Sequence, residues 1–205
     1  MLSNIDNQKT DLNLLRRRVR AQRKLMSTSA RRLAEKKIGD QLEKISVVRQ
    51  AKRLAVYLSI DGEPNLTFTI IKSKKRKNIV LTPVVHGKTL CFSPLNNKSK
   101  LRKNRLGIQE PSTGIFIDPL LLDVVLVPLV VFDNHGTRIG MGAGYYDRCF
   151  QFLLSRTSWN KPKMIGIGYE FQRVENIERQ PWDVPLWGAV TEKGIYKFQS
   201  GENKK

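Results

Sequence analysis

Asp123-Val124-Val125-Leu126-Val127-Pro128-Leu129-Val130-Val131-Phe132 is an apolar run that leads, through Asp133 to Ile139, into Gly140-Met141-Gly142-Ala143-Gly144 and then Tyr145-Tyr146-Asp147-Arg148-Cys149-Phe150-Gln151-Phe152-Leu153-Leu154. The run is too short and too β-branched for anything but a buried strand. The last segment reads as the start of an amphipathic helix. Strand, glycine loop and helix in that order offer backbone N–H groups to phosphate at a helix N-terminus. The glycine spacing matches neither the P-loop nor the dinucleotide fingerprint. Spacing alone therefore leaves two readings open, a phosphate cradle and a tight bend without a ligand. The polar neighbours favour the first. Arg138 can pair with phosphate oxygens in a fork, and Asp147 can hold a Mg²⁺ that bridges them. Asp147 equally suits the first turn of a helix on dipole grounds.

Working outward, Leu54 to Ser59 is nearly all apolar, as a central strand is. The turn Ile60-Asp61-Gly62-Glu63-Pro64 sets Glu63 just beyond the carboxyl end of that strand. Glu63 alone is equally an ordinary turn carboxylate. Pro64 fits the first turn of a helix carrying Leu66, Ile70 and Ile71, closed by the charges of Lys72 to Lys77. Asn78 to Pro83 and Thr89 to Ser93 read as strands, Asn96 to Arg105 as an exposed basic loop, and Leu106 to Pro111 as a turn-rich connector. Met164 to Tyr169 and Gly188 to Thr191 are further strands, separated by the turn Gln180 to Pro185 with its carboxylate Asp183. Repeated strand–helix alternation predicts an α/β fold, a mostly parallel central sheet covered by helices. Ligands of such sheets bind outside the carboxyl ends of the strands, where Glu63 and the glycine loop both lie.

The N-terminal part reads differently. Residues 1–9 are expected to be a loose leader. From Asp11, the positions Leu12, Leu15, Val19 and Met26 share one helix face, while Arg16, Arg17, Arg18, Arg20, Arg23 and Lys24 cover the others. These arginines form either a phosphate-binding face or a solvated one. Ser27 to Ser29 can cap a second helix whose buried stripe is Leu33, Ile38, Leu42 and Ile45.

The 205 residues, 40% of them hydrophobic, suit one domain. It would comprise a helical segment 10–50, a core 54–198 and a polar tail 199–205. Net charge is +19, and residues 1–105 carry all of it, with 26 Lys and Arg against 7 Asp and Glu. Such a field attracts polyanions, or simply solubilises the surface. Cys91 and Cys149 form no disulfide framework and read as small core residues. The sequence shows no apolar signal segment and no run near the roughly 20 residues that span a membrane. A cytoplasmic protein without a membrane partner is expected.

The stretch Asp123 to Phe150 resembles the signature of the 5-formyltetrahydrofolate cyclo-ligases, also called methenyltetrahydrofolate synthetases. Its parts are Val127-Pro128, Phe132-Asp133, the turn glycine Gly136, Arg-x-Gly-x-Gly-x-Gly from Arg138 to Gly144, and Tyr145-Tyr146-Asp147-Arg148. Further features of the family recur in order. They are Leu15-Arg16 on a basic helix, Tyr57 and Glu63, Leu81-x-Pro83, Gly107-x-x-Glu110-Pro111, Gln172, and Trp182-Asp183 to Val190-Thr191. Two departures stand out. Leu12 occupies a position usually held by Lys or Arg, and Trp182 one that is often His.

The resemblance implies a three-layer α/β/α fold like that of the sugar-phosphate isomerases and CoA-transferases. It implies an enzyme, acting as a monomer, that uses ATP and Mg²⁺ to close 5-formyltetrahydrofolate, with or without a polyglutamate tail, to 5,10-methenyltetrahydrofolate. ADP and phosphate are released by way of a phosphorylated formyl group. By the same resemblance, Arg16 and the run Arg138, Ile139, Gly140, Met141, Gly142, Ala143, Gly144, Tyr145 and Tyr146 would bind ATP. Leu58, Glu63 and Met141 to Tyr145 would bind folate, Asp147 and Asp183 would hold the metal, and Arg138, Tyr145 and Arg148 would act in catalysis. Two rivals come from other classes: a basic nucleic-acid-binding protein, for which no aromatic–basic reading motif is present, and a phosphosugar isomerase or CoA-transferase relative, which would leave ATP and Mg²⁺ unexplained.

Overall fold

The computed structural model describes residues 2–96, 99–112, 114–156 and 161–198, with side chains from residue 12 onward. The expected tail, 199–205, lies outside the described residues. In chain order the elements are α1 (Leu2–Leu25), α2 (Thr28–Lys44), α3 (Ser46–Gln50), β1 (Arg53–Ala55), α4 (Thr67–Lys75), β2 (Ile79–His86), β3 (Thr89–Pro94), β4 (Leu101–Lys103), β5 (Gln109–Pro111), β6 (Val124–Pro128), β7 (Val131–Phe132), β8 (Arg138–Ile139), α5 (Tyr145–Phe150), β9 (Lys163–Ile167), β10 (Gly188–Val190) and β11 (Ile195–Lys197).

Seven strands make one sheet in the order β11-β10-β9-β6-β1-β2-β3. The five inner strands run parallel, and the edge strands β3 and β11 are antiparallel to their neighbours. Parallel strands need cover on both faces, and alternate residues show how it is met. Leu54, Val124, Leu126 and Ile165 pack on Ala34, Ile38 and Leu42 of α2 and Val48 of α3. Their neighbours Ala55, Val125, Val127 and Met164 pack on Cys149 and Phe150 of α5. The fold is α/β, with helices on both sides of a mostly parallel sheet. Helix α1 belongs to neither layer. Its Val19 joins Val130 and Val131 just past the end of β6, so α1 crosses the carboxyl edge of the sheet.

Several expectations are corrected. Residues 2–9 are helical rather than loose, because α1 starts at Leu2 and no glycine or proline interrupts it before Leu25. Leu33 is exposed, and the buried stripe of α2 runs instead through Ala34, Ile38 and Leu42. Arg23 is fully buried, since it falls four residues after Val19 on the buried face. Helix α4 begins at Thr67, three residues after Pro64, where the Asn65 side chain accepts from the Thr67 amide at 2.7 Å. The basic loop contains a strand, for β4 pairs with β5 around a turn held by Asn104 and Gly107. All three residues of β4 are exposed, so no alternation marked it. The apolar run 123–132 is two strands, β6 and β7, bent at Leu129-Val130 by bonds described below. Edge strand β11 adds to the strands expected, and Cys91, unlike buried Cys149, is only half-buried.

Candidate active site

The bend after β6 shapes everything at this edge. Gln172, fully buried, donates from Nε2 to the carbonyls of Leu129 at 2.9 Å and Val130 at 2.7 Å, and its Oε1 accepts from the Tyr169 amide at 2.9 Å. Arg23 reaches the same Leu129 carbonyl from α1 at 2.5 Å. With those carbonyls turned away, the sheet ladder cannot continue. The Val130 amide donates to Ile139 instead, opening the β7–β8 hairpin. Asp133 organises the tip: it accepts from the amides of His135, Thr137 and Ile177 at 2.9, 2.8 and 3.0 Å. The Phe-Asp pair of the signature is therefore a turn device.

Arg138, on β8, points inward. Its Nη2 donates to Asp147 Oδ1 at 2.6 Å, and its Nη1 to the Val184 carbonyl. The same Oδ1 accepts from the Val184 amide at 3.2 Å. One arginine thus ties the strand before the glycine loop to the helix after it and to the segment following Asp183. The guanidinium expected to meet phosphate directly is occupied in holding that junction.

The loop itself lies open, with Met141, Gly142 and Ala143 exposed and Ile139, Gly140, Gly144, Tyr145 and Tyr146 half-buried. Gly142 (φ +100°) and Gly144 (φ +64°) adopt backbone conformations that side chains rarely take. At Gly142 an added Cβ would also meet the Arg16 guanidinium at 3.4 Å. Arg16 donates from Nε to the Gly140 carbonyl at 2.9 Å, so α1 supports the loop from one side. Arg148 supports it from the other, donating to the carbonyls of Ala143 and Lys88, each at 2.5 Å, with its guanidinium 5.4 Å from the Tyr145 ring centre.

Glu63 is buried beyond β1, in the segment that also carries half-buried Leu58. Its Oε2 accepts from the Ile60 amide at 3.2 Å. Burial lifts its carboxyl from 4.5 to about 7, against the pull of that amide and of Arg23, while Asp61 adds to the rise. Tyr57, fully enclosed beside it, donates to the Pro64 carbonyl at 2.8 Å. The phenol of Tyr146, first turn of α5, is raised by burial and by the charge of Glu63. Glu63 and the glycine loop thus follow the adjacent parallel strands β1 and β6 beyond the carboxyl edge of the sheet.

Asp183 closes its own turn, accepting from the Gln180 amide at 2.9 Å through Oδ2. The Val184 amide, one residue on, donates to Asp147, which ties the turn of Asp183 to the start of α5. The described bonds of Asp147 fall on Oδ1 and those of the Asp183 carboxylate on Oδ2, leaving each an oxygen for a cation. Two carboxylates with substrate phosphates and water are what Mg²⁺ commonly uses. Among the described residues no group of three or more His, Cys, Asp and Glu side chains could hold a metal alone. Sequence reasoning missed Arg23, and it overlooked Arg31, whose Nη2 donates to the Arg23 carbonyl at 2.6 Å. The period of α1, extended from Val19 to position 23, was the available signal.

An open glycine loop, the carboxylates Asp147 and Asp183 and a buried glutamate at the edge of a mostly parallel sheet are the parts of an α/β enzyme. The chain belongs to the 5-formyltetrahydrofolate cyclo-ligase family, which it matches over residues 8–192. It is 35% identical over 185 residues to the 5-formyltetrahydrofolate cyclo-ligase of Haemophilus influenzae, covering 86% of this chain and 95% of that one. The Escherichia coli K12 enzyme of the same name is 35% identical over 158 residues, 74% of this chain and 84% of that one. Among solved structures, the 5,10-methenyltetrahydrofolate synthetase of Aquifex aeolicus superposes with a TM-score of 0.78 at 31% identity, over 95% of this chain and 96% of that one. The synthetase of Mycoplasma pneumoniae gives 0.69 at 27% identity, over 89% and 99%. Neither the nucleic-acid nor the isomerase and CoA-transferase reading gains support. No described helix is long and apolar enough to cross a membrane.

Proposed function

We propose that the protein catalyses the ATP-dependent cyclisation of 5-formyltetrahydrofolate to 5,10-methenyltetrahydrofolate, with release of ADP and phosphate. Family membership supports the reaction, and one observation supports its location: α1 holds both segments, bonding the Gly140 carbonyl through Arg16 and Asp61, two residues before Glu63, through Arg20. An amide oxygen leaves poorly, so the formyl oxygen first attacks the terminal phosphorus of ATP and ADP departs. N10 then attacks the activated formyl carbon, phosphate leaves with the former formyl oxygen, and N10 loses its proton as the ring closes. Positioning and charge neutralisation supply most of the rate in such transfers.

In this reading the amides of Gly140 to Gly144 cradle the phosphates, with Arg16 and Arg148 fixing the loop from either side. Arg138 is a positioning group for Asp147 and the Val184 segment rather than a phosphate ligand. Asp147 and Asp183 would hold Mg²⁺, which when bound neutralises phosphate charge. Glu63 accepts from adjacent N–H donors of the pterin, a two-pronged fit for a carboxylate, while Leu58, Met141 and Tyr145 line the folate. The test is direct. Purified protein with Mg²⁺, ATP and 5-formyltetrahydrofolate should generate the near-ultraviolet absorbance of the methenyl product, and omission of ATP should abolish it. No product with all components present refutes the proposal.

A further inference from the structure

Arg23 is an unusual arginine. No part of it reaches solvent, and it lies on the buried face of α1. Of its donors only Nη2 has an acceptor, the Leu129 carbonyl. Nε and Nη1 are buried without a partner. A guanidinium stays charged in proteins, and a buried charge needs compensation nearby. No carboxylate lies within ion-pair distance of it among the described residues. The charge acting on it most strongly is Glu63, with Asp61 weaker. Asp61 is itself paired with Arg20 at 2.9 Å. Glu63 is likewise buried, and its one described bond is the Ile60 amide. Each group is thus the main opposite charge acting on the other. Their segments touch: an added Cβ at Gly62, the residue before Glu63, would come within 3.2 Å of Arg23 Cβ, while the Leu129 carbonyl holds the guanidinium.

We propose that Arg23 is a positioning residue for Glu63. Held on the buried face of α1 with no part reaching solvent, its fixed charge keeps the Glu63 carboxylate an acceptor for the N–H donors of the substrate ring. This rests on the folate-binding reading of Glu63. The remaining groups around Glu63 cannot do this work. The phenols of Tyr57 and, on α5, Tyr146 stay protonated, since burial and Glu63 itself raise both. Asp61 opposes ionisation. Arg31 borders Gly62, with Nη1 within 3.1 Å of an added Cβ there, but it is not among the charges felt by Glu63. Arg138 acts on Tyr146 and likewise not on Glu63. Without Arg23 the acid would stay neutral and present an O–H where the ring presents an N–H.

The test measures folate affinity without ATP, by calorimetry, on both sides of neutral pH, together with kcat and KM. In the wild type, binding should tighten as pH rises through the Glu63 titration. Arg23→Met should move that midpoint up by about one pH unit and weaken binding at pH 7 about fivefold, the ratio of ionised Glu63 with midpoints of about 7 and about 8, with kcat at saturating folate little changed. Arg23→Lys should restore the midpoint. Arg23→Gln, which keeps a donor for Leu129 without the charge, should not, and it serves where the Met variant folds poorly. Glu63→Gln should remove the pH step, and adding Arg23→Met to it should weaken binding no further. An unmoved midpoint in both neutral variants, or an equal loss on the Glu63→Gln background, would make Arg23 merely structural and overturn the proposal. Wild-type affinity in Glu63→Gln alone would overturn the reading of Glu63 itself, a separate result.

Discussion

Glu63→Gln should stabilise the ligand-free protein, and only above mildly acidic pH. The folded-state carboxyl sits at about 7 against an ordinary 4.5, with burial as the main cause. Between those values the native state binds more protons than the unfolded chain, so stability falls as pH rises through that window. Below 4.5 both states are protonated and the group contributes nothing. Above about 7 the whole penalty of an ionised buried carboxylate is present. The gap between 4.5 and about 7, at about 1.4 kcal/mol per pH unit, amounts to about 3 kcal/mol.

Glutamine cannot ionise, yet its carbonyl can still accept from the Ile60 amide. Urea denaturation of wild type and variant should therefore coincide near pH 4.5, where Glu63 is neutral. They should diverge as pH rises, until the variant leads by about 3 kcal/mol, or about 8 °C in Tm for a chain of this size. All other titrating groups are shared and cancel in the difference. A difference that is flat with pH, or a wild type that gains on the variant as pH rises, would refute the reasoning. The same variant should bind folate more weakly, so stability and binding move in opposite directions at this position.

Asp147→Asn leaves the Arg138 guanidinium without its counter-charge and should destabilise by about 3 kcal/mol, the low end for breaking a buried pair, because the Asp147 side chain is 25% exposed. Adding Arg138→Met should recover stability in a denaturant melt but not the Mg²⁺ dependence of ATP binding in calorimetry. Gly142→Ala places a Cβ at φ +100° against Arg16 and should cost about 1–2 kcal/mol, read as a raised KM for ATP with folate affinity nearly unchanged. Gln172→Leu removes three buried hydrogen bonds at the β6 exit and should lower stability by about 3 kcal/mol, seen as a lower midpoint in thermal melts.

The sheet was legible because its inner strands are buried on both faces, so β1, β6 and β9 appear as continuous apolar runs. Edge elements were not. β4 is exposed throughout and β11 is three residues long, and neither has a period to read. The glycine loop and its two flanking carboxylates were legible as types in order, but their wiring was not. Arg138 has the chemistry of a phosphate ligand, and nothing in a linear sequence says that Asp147 and the Val184 carbonyl claim it first. Arg23 was hidden for the opposite reason. Six cations within nine residues read as one solvated face, and the single member on the Val19 stripe carries the same letter as its exposed neighbours.

That member changes the meaning of α1. Arg16 and Arg23 are seven residues apart, two helical turns, and so emerge on one face about 10 Å apart. The first holds the Gly140 carbonyl of the phosphate loop, and the second stands behind Glu63 on the Leu129 carbonyl. Between them Arg20 pairs with Asp61 at the turn that presents Glu63. One rigid helix therefore sets the distance between the loop assigned to ATP and the carboxylate assigned to the pterin. The sheet alone could not do so, because the two segments leave different strands, β1 by an irregular turn and β6 by way of the β7–β8 hairpin. A reaction that passes a phosphoryl group between two bound molecules needs that distance fixed before either arrives. In this chain the N-terminal helix, whose charges read from sequence as surface, is the element that fixes it.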